Sequence, residues 1–191
     1  VEFAITPNEF PANDAHFPLV FKDSYDAQAA GYGGSPGYAK TQTVDSPFTF
    51  NLFQASDVKY FEVYVTNSNG TNYRAAVAAY EGVRQHVSIT YDGGDDELIL
   101  RSVSEQGTVS SGAISVANYN IKASYQPWTV RGTDGLDADA RLLYENIRFW
   151  KTVRTDAEID DNRFKELAAG EVPSLTTTDL LAQWNGRGPS N

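Results

Sequence analysis

The feature that most constrains this chain is a period-two alternation of apolar and polar residues, recurring in strand-sized runs from Phe17 to Tyr125. Phe48, Phe50 and Leu52 alternate with Thr49 and Asn51; Phe61, Val63 and Val65 with Glu62, Tyr64 and Thr66; Val87, Ile89 and Tyr91 with Ser88 and Thr90. Successive side chains of a strand point to opposite faces, so each first-named set is expected on a buried inner face. Asn67-Ser68-Asn69-Gly70 and Asp92-Gly93-Gly94-Asp95 lie between runs and supply residues that tolerate positive φ, which tight hairpins need. The pattern predicts an all-β protein. A length of 191 residues, with no internal repeat and no linker, favours one domain over 1–191 built as a large two-sheet antiparallel jelly-roll sandwich.

One helix interrupts the alternation. Thr155-Asp156-Ala157-Glu158 has the spacing of a capping box, and Gly170 supplies a left-handed stop, so a helix is expected from Asp156 to about Ala168. Ile159, Phe164 and Leu167 give it a narrow apolar side, with Asp160, Asp161, Lys165 and Glu166 turned to water. The run Leu180 to Trp184 reads as a closing strand. Ile147, Phe149 and Trp184 are expected to face the core, and Arg148 and Trp150 to face outward.

Charge and composition exclude several function classes. Against 15 Lys and Arg stand 25 Asp and Glu, a net charge of −10, and the basic residues are scattered singly, so a nucleic-acid partner is disfavoured. No apolar stretch approaches the roughly 18 residues of a membrane-spanning helix, so no membrane insertion is expected. With no Cys there is no disulfide framework, thiolate nucleophile or Cys-ligated metal. The sequence opens at Val1 without a leader, as a processed or excised piece would.

Four segments then carry a likeness. They are His86-Val87-Ser88-Ile89-Thr90-Tyr91-Asp92-Gly93; Glu97-Leu98-Ile99-Leu100, running on to Gly107; Trp128-Thr129-Val130-Arg131-Gly132; and Tyr144-Glu145-Asn146-Ile147-Arg148-Phe149-Trp150, followed by Arg154 to Ile159. In this order they resemble the inner strand, the returning strand, the short strand closing on Gly, and the penultimate strand with its small helix of the laminin G-like, concanavalin A-like β-sandwiches. The resemblance covers roughly Arg84 to Trp184. It implies a ligand-binding module, carbohydrate-binding above all, on an extracellular, cell-surface or virion-surface protein, with calcium as a possible cofactor.

Chemistry separates the candidate sites. Glycosidases set two acids across the scissile bond, and the glucanases resembling this sandwich carry Glu-x-Asp-x-x-Glu along one strand; no such run exists here. Polysaccharide lyases need an Arg to neutralise a uronate and a His or Tyr to move the proton. Tyr60-Phe61-Glu62-Val63-Tyr64 is faintly like such a strand, while His86 reads as a satisfied edge histidine. Sugar recognition needs exposed aromatic faces beside amide or carboxylate groups. Tyr32 and Tyr38 on a glycine-rich loop, Asn118, Tyr119 and Trp128 fit that need, with packing against their own loop, or into the core for Trp128, as the alternative. Asp134, Asp137 and Asp139, spaced three and two apart, form the calcium candidate. A binding module is thus the leading reading; a polysaccharide-degrading enzyme on the same fold and a ligand-free spacer are the alternatives.

Overall fold

The computed structural model describes residues 1–11, 16–22, 47–116, 121, 128–130, 142–165, 167 and 179–184. They form two antiparallel sheets and one short helix. The strands are β1 (Glu2–Pro7), β2 (His16–Lys22), β3 (Phe48–Ala55), β4 (Val58–Thr66), β5 (Asn72–Ala78), β6 (Gln85–Asp92), β7 (Glu97–Ser104), β8 (Val109–Ser115), β9 (Trp128–Val130), β10 (Leu142–Trp150) and β11 (Leu180–Trp184), with helix α1 (Asp156–Asn162) between the last two. The six-stranded sheet runs β11-β10-β1-β6-β7-β8, and the five-stranded sheet runs β5-β4-β3-β2-β9. The chain passes between sheets after β1, β5, β8 and β9, the jelly-roll arrangement expected from the sequence.

The expected inner faces are the buried ones. Phe50, Leu52, Phe61 and Val63 from one sheet meet Phe3, Ile5, Val87, Leu100 and Ile147 from the other. Phe3 meets Phe50 edge-on across the two sheets at 5.1 Å, and Phe50 stacks on Phe61 at 5.6 Å. The hairpin after β4 closes as its sequence indicates, with Asn67 Oδ1 accepting from the backbone N–H groups of Asn69 and Thr71 and Gly70 at φ +82°. The β3–β4 turn uses Ser56 and Asp57, both at positive φ, where a sequence reader looks for Asn-Gly.

Two expectations change, and one outward residue proves to be covered. Helix α1 begins at the capping box, with Thr155 and Glu158 reciprocally bonded, but ends at Asn162 instead of near Ala168. The Arg148 guanidinium accounts for the early end: it donates to the carbonyl of Asn162 at 3.0 Å and to that of Lys165, which a longer helix would use internally. Arg148 faces outward as expected, yet it is 0% exposed, because α1 lies over the outer face of the six-stranded sheet as a third layer. Asp160, expected in water, forms a two-bond pair with Arg101 of β7 at 2.8 Å for each bond.

Candidate rim cleft and the layer beneath helix α1

At one end of the sandwich a cleft of about 230 Å³ opens where the strand ends of β1, β3, β6, β9 and β10 converge. Trp128, the first residue of β9, stands at its side and is 39% exposed. Its ring is held from two sides, edge-on to Phe48 at 5.0 Å and tilted on Phe149 at 5.1 Å. The sequence alternatives for Trp128 were a core residue or an exposed platform; it is neither wholly, being anchored by core aromatics while presenting ring surface to solvent. Val153, half exposed, adds apolar surface to the lining, and Thr90, Lys151 and Thr152 add polar groups. Tyr91 also lines the cleft, and partial burial, then Asp96 and Asp92, push its phenol up, so the hydroxyl stays a neutral donor and acceptor.

The inner wall of the cleft is charged. Glu2 and Arg154 line it, and register sets the charged layer behind them: Glu2 of β1 lies opposite Arg148 of β10 and Ser88 of β6, Ser88 lies opposite Arg101 of β7, and Ala4 lies opposite His86. The outward side chains of this part of the sheet therefore gather beneath α1. Arg154, just before the helix, grips both Glu2 carboxylate oxygens at 2.7 and 2.8 Å, donates to the carbonyl of Glu158, and stacks over Trp150 at 4.3 Å. Glu2 also has Arg148 Nη1 and His86 Nε2 each at 3.8 Å. Burial, partly offset by Glu2 and reinforced by Arg154, lowers Arg148 to about 10, so it keeps its charge at neutral pH.

His86 is the unsettled member. It is 1% exposed, lies edge-on to Phe164 at 6.1 Å, and neither ring nitrogen has a hydrogen-bond partner among the described residues. Burial first, then Arg148, Arg154 and Arg101, lower it to about 3, so the imidazole is neutral. The satisfied edge histidine read from the sequence is instead a buried, unsatisfied one.

On the opposite side of the molecule, the outward face of the five-stranded sheet carries Phe53 stacked on Tyr60 at 6.1 Å, the guanidinium of Arg74 over Phe53 at 5.8 Å, and Arg74 paired with Glu62, which is 0% exposed. This is the strand that faintly resembles a lyase strand.

Of the residues singled out from sequence, Trp128 lies at the cleft. Tyr32, Tyr38, Asn118, Tyr119 and the calcium candidates Asp134, Asp137 and Asp139 lie outside the described residues, as does Gly170. Sequence reasoning missed Trp150, Arg154 and Glu2 as neighbours of Trp128. Glu2 sits about 150 residues from Arg154, and no local signal joins them. Among the described residues no group of three or more His, Cys, Asp or Glu side chains is placed to hold a metal ion, and no helix is long and apolar enough to cross a membrane.

No protein-family model and no curated protein sequence matches the chain. Among solved structures it is similar to a native heptameric SAP-like pentraxin from Limulus polyphemus, with a TM-score of 0.30 and 11% identity. The match covers 74% of this chain and 62% of the pentraxin chain, so this chain spans less than two thirds of that protein's length.

Proposed function

We propose that this chain is a non-catalytic, laminin G-like recognition module of a surface adhesin or of a phage or viral surface protein, binding a glycan at the rim cleft beside Trp128. One observation carries the reading: an indole that is 39% exposed yet fixed by Phe48 and Phe149 offers a preorganised apolar face to a sugar ring. Thr90, Lys151 and Thr152 in the same cleft supply the hydroxyl and ammonium groups that distinguish one hydroxyl pattern from another. The enzyme reading draws on the outward face of β4 and β5, but there Arg74 is committed to Glu62, and a guanidinium so compensated is a weak neutraliser of a uronate. The laminin G-like resemblance also gives calcium a place, at Asp134, Asp137 and Asp139, supported by their spacing alone.

The test is a glycan-array screen run in calcium and in chelator, followed by titration of the best glycan against the wild type and Trp128→Ala. With its fold checked by circular dichroism, because the ring also packs on Phe48 and Phe149, the variant should lose about tenfold or more in affinity. Wild-type protein that binds no glycan, or a Trp128→Ala protein that binds as the wild type does, would overturn the reading.

A further inference from the structure

We infer that the layer beneath α1 is an acid-released clasp: protonation of His86 loosens α1 from the sheet and takes apart the charged wall of the rim cleft. The geometry leaves the imidazole little alternative. Among the described residues, the elements around it present charges: Glu2 from β1, Arg101 from β7, Arg148 from β10, Arg154 from the segment before α1, and Asp160 from α1 itself. Asp160 is held by Arg101, and Glu2 is held in two bonds by Arg154. A proton on His86 therefore enters a group in which two guanidinium ions, of Arg154 and Arg148, already face the nearer carboxylate, and a third, of Arg101, is committed to Asp160. Its one close acceptor among the described residues, Glu2 Oε2 at 3.8 Å, is reached by drawing Glu2 away from Arg154.

Arg154 is what joins the clasp to the cleft. The same guanidinium holds Glu2, the Glu158 carbonyl in the first turn of α1 and the Trp150 ring, and Glu2, Arg154, Trp150 and Ile159 all line the cleft. Freeing α1 exposes His86 to water, where its proton affinity returns to the ordinary histidine value near 6.5. With the closed-state value lowered to about 3, the open population should rise about 100-fold between pH 7.5 and pH 4.5 by proton linkage alone. Asp160 does not share this window, because Arg101 first, and then Arg163, hold its carboxyl below the usual aspartate value. The consequence for ligand release rests on the cleft reading given above, whereas the opening itself is measured on the unliganded chain.

The experiment is amide hydrogen exchange of the whole chain at Ile159, whose N–H is bonded to the Thr155 carbonyl, across pH 7.5 to 4.5 and corrected for intrinsic exchange. Protection should fall by up to about 100-fold in the wild type and stay flat in His86→Leu. Should His86→Leu fail to fold, the imidazole carbon shifts of the wild type replace it. An imidazole that stays neutral while α1 is protected supports the clasp. An imidazole that titrates near pH 6.5 with Ile159 still protected, or a pH-dependent loss of protection retained in His86→Leu, would overturn it. Glycan affinity of Trp128→Ala measured at pH 7.5 separates failure of the cleft reading from failure of the clasp.

Discussion

Arg148 is a fully buried cation whose partners are the carbonyls of Asn162, at the end of α1, and of Lys165 beyond it and, more distantly, Glu2. Removing it strands those groups in a layer sealed by α1. Arg148→Ala should cost about 3 to 5 kcal/mol in urea unfolding, the range for breaking one side of a buried charged pair, whereas a cost under about 1 kcal/mol would mean that water reaches the layer freely. Ile147, the neighbouring residue on the opposite face, is 1% exposed, and Ile147→Ala should cost about 2 to 5 kcal/mol. His86 sets the acid side of the stability curve. Above pH 6.5 the imidazole is neutral whether the chain is folded or unfolded, and it costs the fold nothing. Below it the unfolded chain takes a proton that the folded one refuses down to about pH 3, so stability falls as pH falls. The slope contributed by this one group approaches about 1.4 kcal/mol per pH unit between pH 6 and 4.5, and it should vanish in His86→Leu, checked by denaturant midpoints at each pH.

Helix α1 is seven residues long, too short to hold itself in water, and it persists because its capping box, Ile159 and the pairs to Arg101 and Arg154 fix it to the sheet. Thr155→Ala removes the acceptor for the Glu158 N–H and should cost about 1 kcal/mol, with the loss appearing first as faster exchange within α1. A different constraint acts where the edge strand β8 passes close to β5. A Cβ at Gly112 would lie 3.0 Å from the Ala76 carbonyl oxygen, a backbone atom held in the β4–β5 ladder. Gly112→Ala should therefore force β8 outward at about 1 to 3 kcal/mol, and a thermal midpoint equal to the wild type would show that β8 yields without strain.

For the molecule as a whole, the net charge of −10 makes any bound cation visible in stability. If Asp134, Asp137 and Asp139 hold calcium, a free concentration 100 times the dissociation constant should add about 2.7 kcal/mol, read as a raised melting temperature that Asp137→Asn with Asp139→Asn abolishes. Equal melting temperatures in calcium and chelator would remove the ion from the proposal. The alternation at Phe48 to Leu52, Phe61 to Val65 and Val87 to Tyr91 determined the strands, their inner faces and the two-sheet class, because a period of two is a local property with only one way to bury its apolar half. The capping box likewise placed the first turn of α1, since its reciprocal bonds span three residues. The Ser56-Asp57 turn was hard to read because no Gly marks it and Ser rarely takes positive φ, although Asp tolerates it. The end of α1, the burial of Arg148, the unsatisfied His86 and the meeting of Glu2 with Arg154 were decided by tertiary structure alone. Each depends on which outward face a third layer covers, and alternation reports that a face is polar without reporting that charges from distant strands will be sealed together there.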